Sequence, residues 1–231
     1  MVEAQIPLTI GFSNRLIFAN FISGKNEQVI DNLKLLIREK SGGFIYLWGK
    51  SGSGKSHLLH ASCVEATQQN KKSAYLPLDE IDFLEPEIFL SMENQDVVCI
   101  DNLNFIEKNT DWEIGLFNLF NQLQQENKLL IVSSTVNPLG SEFELQDLKS
   151  RLASGIIYHM QDLADDEKLM VLKSRAQERG LELSQEVLDY LSNRVARDLI
   201  SLISWLDKLD EASLISKRKI TVPLLRDLLN N

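Results

Sequence analysis

The segment Gly49-Lys50-Ser51-Gly52-Ser53-Gly54-Lys55-Ser56 matches G-x-x-x-x-G-K-[ST] at every fixed position, and few folds can satisfy it. A strand must deliver the chain into a glycine-permitted turn, and a helix must open at Lys55. Successive N–H groups and the helix dipole then converge on one phosphate cluster. The context is right, because the apolar, aromatic and β-branched run at 44–48 reads as a buried strand and the residues from 55 onward as a helix. Gly49, Gly52, Ser53 and Gly54 would shape the loop, Lys55 would reach the β- and γ-phosphates of ADP or ATP, and the Ser56 hydroxyl would hold Mg²⁺.

The remaining pattern agrees with an α/β sheet. Apolar positions Val29, Ile30, Leu33, Leu36 and Ile37 predict an amphipathic helix over 26–39. Helix 55–69, strand 74–78, strand 97–100, helix 111–126 and strand 129–132 follow, with a last short strand at 156–159. Such alternation implies a parallel sheet with helices on both faces. Beyond Met160 the strand signal stops. Helices are expected at 165–179, 184–194 and 197–215, and Thr221 with Pro223 opens a short final one. The expected organisation is a tail (1–15), an α/β nucleotide-binding base (16–160) and a small all-α lid (161–231).

Composition narrows the function classes. The 231 residues carry 33 acids and 24 bases, a formal net charge of -9, and 44% are apolar. A buried core is expected and disorder is not. Residues 79–113 hold eleven acids and one base, Lys108, the opposite of the basic stripe that grips a phosphate backbone directly. No run is long and apolar enough for a membrane span and no signal peptide is recognisable, so a cytoplasmic protein without membrane contact is expected. Cys63 and Cys99 read as small core residues.

A carboxylate completes the nucleotide chemistry. The strand at 97–100 runs into Asp101, placed to hold Mg²⁺ through water, and then into Asn102, where many ATPases carry the acid that activates water. An amide orients water but accepts no proton, so intrinsic hydrolysis is expected to be weak or absent. His57 and His60 share a helix face but lack an evident carboxylate or thiolate partner, and His159 sits at a strand end, so no catalytic histidine cluster is expected.

These motifs together resemble the AAA+ ATPases. Phe18-Ala19-Asn20-Phe21, Lys55-Ser56-His57-Leu58-Leu59-His60-Ala61 and Leu148-Lys149-Ser150-Arg151-Leu152 resemble the bacterial initiator DnaA. The resemblance spans nearly the whole chain and stops where DnaA would continue into a helix-turn-helix domain, which is expected to be absent. Within that group the chain is similar to the Hda family of DnaA-homologous regulators. The resemblance implies that Gln5-Ile6-Pro7-Leu8-Thr9-Ile10 is a sliding-clamp-binding hexapeptide, its glutamine in a polar pocket and Leu8 and Ile10 in an apolar groove. It also implies that Arg151 is an arginine finger acting in trans. Ser133 and Ser134 end the fourth strand, where the family has its sensor 1 residue, and Ser134 is the one expected. Ile200 occupies the place of the sensor 2 arginine, leaving Arg197, one turn earlier, as the nearest substitute.

The expected function is that of a DnaA inactivator. Such a protein binds ADP or ATP with Mg²⁺, docks on the DNA polymerase III sliding clamp, meets DNA only through that clamp, and stimulates hydrolysis of ATP on DnaA. Self-association is compatible with a trans finger. A helicase loader or other initiation factor is a rival reading, weakened by Asn102 and Ile200. A P-loop kinase of a small metabolite is another, and it leaves Arg151 and the Gln5 hexapeptide without a role.

Overall fold

The computed structural model describes residues 16–39, 42–194, 198–216 and 220–230. The hexapeptide at 5–10 and Arg197 lie outside them. The chain divides into two compact units after Gln161.

In the first unit five strands form one parallel sheet: β1 (Gly43–Trp48), β2 (Ser73–Pro77), β3 (Val97–Asp101), β4 (Leu129–Ser134) and β5 (Ile156–His159), in the order β2-β3-β4-β1-β5. Alternation along each strand sorts its side chains to two faces. Ile45, Leu47, Cys99 and Ile131 pack with Leu33, Ile37, Leu58 and Leu59 of helices α1 (Glu27–Arg38) and α2 (Lys55–Gln68). Tyr46, Val98, Ile100 and Val132 pack instead with Trp112, Leu116 and Leu119 of α3 (Thr110–Gln125) and with Leu148 and Leu152 of α4 (Gln146–Leu152). Cys63 and Cys99 are both buried and unbridged. Burial also pushes the Cys99 thiol up, so it behaves as a small apolar residue.

Two features were not visible in the sequence pattern. The acidic connection before β3 folds into 3-10 turns, Leu78–Phe83 and Pro86–Met92, and the second buries Ile88, Phe89 and Met92. The box around Arg151 is helical rather than a loop: Leu148 and Leu152, one turn apart, are fully buried and turn Arg151 outward. Buried Asn26 closes the unit, since its side chain donates to the Gln161 carbonyl at 3.0 Å and accepts from the Gln161 N–H at 2.8 Å.

The second unit is a helical bundle of α5 (Asp165–Glu178), α6 (Gln185–Arg194), α7 (Leu199–Ser216) and α8 (Val222–Asn230). Its core includes Leu172, Leu188, Leu191, Leu206 and Leu209. As the pattern predicts, the last helix opens at Thr221, whose carbonyl accepts from Leu225 at 3.1 Å. No helix among the described residues is long and apolar enough to cross a membrane.

Candidate nucleotide site

The site forms at the carboxyl edge of the sheet, where β1, β3 and β4 end side by side. The Gly49 N–H donates to the Ser134 carbonyl at 3.3 Å and the Met160 N–H to the Trp48 carbonyl at 2.7 Å, so both neighbouring strands fix the start of the loop. Gly52 and Gly54 take φ values of 81° and 92°, a region open to glycine at little cost. At Gly54 space is also lacking, because a Cβ there would stand 2.7 Å from Cε2 of Phe21. Phe21 further meets the His57 ring edge-on, with centroids 5.1 Å apart, and His57 Nε2–H donates to the Ile17 carbonyl at 2.9 Å. The phenylalanine box thus acts as a buttress for the phosphate loop.

This geometry yields a stability prediction. Gly54→Ala should destabilise the base by about 1–3 kcal/mol, combining a left-handed alanine with the Phe21 clash. Chemical unfolding without nucleotide would measure it. The double variant with Phe21→Ala should recover only the steric part, since φ is unchanged.

Lys55 is 5% exposed, and its ammonium donates to the carbonyls of Gly49 at 2.7 Å and Lys50 at 2.8 Å and to Ser53 Oγ at 3.4 Å. The charge is therefore held over the loop's concavity by the loop's own oxygens. Helix α2 opens without a side-chain cap, an arrangement in which opening N–H groups and dipole favour an anion. Ser56 is exposed at this helix start. A phosphate chain over Gly49 to Ser56 fits these donors.

Asp101 ends β3 and is buried, with both carboxylate oxygens engaged. Tyr75 Oη donates to Oδ2 at 2.8 Å, and Ser133 Oγ donates to Oδ1. Burial first, and then the Asp101 charge, push the Tyr75 phenol up, so it remains a neutral donor. A carboxylate so occupied suits a metal held through water, and Ser56 with Asp101 would be the pair facing Mg²⁺. Among the described residues no group of three or more histidine, cysteine or acid side chains could hold a metal ion.

Of the two serines that end β4, Ser133 is the one whose hydroxyl meets Asp101, and Ser134, the residue expected as sensor 1, does not. Ser133 Oγ also accepts the Asn102 N–H at 3.0 Å, whereas Ser134 Oγ accepts from Val136 at 3.3 Å. Strand alternation explains the difference, because Ser133 shares the sheet face of Ile131 and Cys99. Asn102 itself sits at φ 63°, ψ 48°, a left-handed conformation that asparagine tolerates better than most side chains. Its amide identity therefore has a backbone reason.

The histidines are structural in these surroundings. His60 lies against Tyr75 with centroids 3.9 Å apart, and His159 stacks on Trp48 at the same separation. Burial holds the His60 imidazole below its usual range. Ile200, on α7, is 49% exposed. Arg151 is exposed on α4, and its guanidinium has no partner among the described residues. Tyr75 is a contributor that the sequence pattern did not single out, and its place became visible only with the register that pairs it with Cys99, two residues before Asp101.

Comparison with known proteins places these features. Residues 12–159 match the model of the bacterial DnaA ATPase domain, and residues 165–229 match the Hda lid domain. Domain III of the replication initiation protein DnaA from Thermotoga maritima superposes with a TM-score of 0.79 at 21% identity, covering 93% of this chain and 97% of that one. AMPPCP-bound DnaA from Aquifex aeolicus gives 0.70 at 23% identity, covering 86% of this chain and 66% of that one. The RuvB branch migration motor of T. maritima shares the fold more distantly, with a TM-score of 0.64 at 16% identity, covering 88% and 68%.

Proposed function

The chain belongs to the family of bacterial DnaA ATPase domains and carries an Hda lid, and on that premise we propose that it is an inactivator of DnaA. It binds ADP or ATP in the loop of Gly49 to Ser56 and docks on the DNA-loaded sliding clamp through residues 5–10. It then presents Arg151 to ATP held by DnaA. Hydrolysis there leaves ADP-DnaA and prevents a second initiation.

The observation that carries this reading is the setting of Arg151: an exposed cation without a partner among the described residues, on a short helix anchored beneath by Leu148 and Leu152. A guanidinium offered in this way can sit beside a γ-phosphate in a neighbouring molecule and offset the charge that develops on transfer. The chain's own nucleotide is a structural ligand that stabilises the base by binding only the folded state. Mg²⁺, when bound, neutralises phosphate charge, and Ser56 and Asp101 would hold it. With asparagine at position 102, no carboxylate follows Asp101 to take a proton from water.

The primary test measures loss of ATP from DnaA with clamp and DNA present, comparing wild type with Arg151→Ala. Equal stimulation by both would sink the proposal. Clamp docking is tested separately. Gln5→Ala with Leu8→Ala should abolish retention on immobilised clamp, at least about tenfold, while nucleotide affinity is kept. Unchanged retention would remove the hexapeptide from the mechanism.

A further inference from the structure

Three charged side chains are buried among the described residues: Lys55, Asp101 and Glu113. The first two belong to the nucleotide site. Glu113 stands apart from it, in the first turn of α3, and is 0% exposed.

A carboxylate removed from water requires donors on both oxygens. Glu113 Oε1 accepts the N–H of Lys108 at 2.9 Å and of Glu144 at 3.1 Å, and Oε2 accepts the N–H of Leu145 at 2.7 Å. The donors are all backbone, and they come from two loops, one after β3 and one after β4. Leu145 is the residue from which α4 starts. Further bonds join the same loops: Glu107 Oε2 accepts from the Glu142 N–H at 3.1 Å, Asn104 Oδ1 from the Thr135 N–H at 3.4 Å, and Lys108 Nζ pairs with Glu142 Oε2 at 2.7 Å. In the first two the acceptor follows β3 and the donor follows β4.

Helix α4 has seven residues, too few to hold a direction by itself. Its underside is set by Leu148 and Leu152, and its entry by Glu113. We propose that Glu113 is the positioning residue for Arg151: its buried carboxylate fixes where α4 begins, and so where the guanidinium is presented. The inference rests on the trans action of Arg151 proposed above. Glu113 touches no reacting atom. Its effect arises because a misplacement of roughly 1 Å at a reacting group can cost on the order of 10²-fold in rate.

The test uses the full chain as wild type, Glu113→Gln and Arg151→Ala. Glutamine keeps the shape but loses the charge and turns one acceptor into a donor. In Glu113→Gln the amides of Lys108, Glu144 and Leu145 should exchange hydrogen at least about tenfold faster, while those of β1, β3 and β4 stay protected. With DnaA·ATP, clamp and DNA, the maximal stimulated rate should fall about tenfold, with half-saturation moving less than about twofold. Unchanged exchange at the three amides overturns the role of Glu113. So does a full maximal rate in Glu113→Gln when Arg151→Ala is inactive. Full activity in Arg151→Ala removes the finger reading itself, which tells the two failures apart.

Should Glu113→Gln lose nucleotide binding and thereby prove unfolded, Leu145→Pro takes its place. Leu145 has φ -74°, a value proline adopts, so the change deletes that donor at a compatible φ, and Leu145→Ala controls for the side chain it also removes from the core. A lowered maximal rate with faster exchange at Lys108 and Glu144 supports the proposal. A wild-type rate in this variant overturns it.

Discussion

Replacing Arg151 by alanine is expected to remove on the order of 10³-fold or more from the stimulated hydrolysis of DnaA-bound ATP. The size follows from where the charge acts. In a closed, water-poor interface a guanidinium beside the transferring phosphoryl group is screened far less than at a surface. Arg151 has no carboxylate partner among the described residues, so no ion pair with any of those has to break before it engages. Lysine should not restore the rate, since it offers a point charge where arginine offers a planar fork. The measurement is release of labelled phosphate from DnaA·ATP over a range of concentrations of this protein. A variant that reaches the wild-type plateau would exclude a trans role for this residue.

Lys55→Ala is expected to weaken ADP and ATP binding at least about 100-fold. Two charge-assisted hydrogen bonds to phosphate, at about 1.5–3 kcal/mol each, account for that loss. The same ammonium holds the carbonyls of Gly49 and Lys50, so removal also leaves loop oxygens unpaired. The nucleotide-free protein should therefore lose about 1–2 kcal/mol in chemical unfolding. Titration calorimetry gives the first number and urea unfolding the second. A variant with normal affinity would mean that the loop's backbone N–H groups alone carry binding.

The strands and long helices were legible because their periods are long enough to read. The short β-branched and aromatic run of β1 is what a strand buried on both faces needs, and the three- and four-residue spacing of α1 is what a helix buried on one face needs. Helix α4 was not legible, since Leu148 and Leu152 are its only two apolar residues on a face and a single repeat defines no period. Ser133 and Ser134 differ only in which side of β4 they take, and the choice required the register of β3 beside it. Glu113 looked like one of eleven acids in a charged stretch. Its burial is a property of two loops brought together by the sheet, which no local pattern encodes. The phosphate loop, by contrast, was fully legible, because its chemistry is carried by consecutive residues.

The contact between the phenylalanine box and the phosphate loop also sets a leash. Ile17 is tied to His57 and Phe21 lies against Gly54, so the base begins at a fixed point beside its nucleotide site. From Ile10 to Ile17 the chain has seven peptide steps, which span at most about 25 Å when fully extended. On the function proposed above, a clamp gripping the hexapeptide would keep the phosphate-loop edge of the base within that radius, and with it the volume of space in which the protein would meet DnaA.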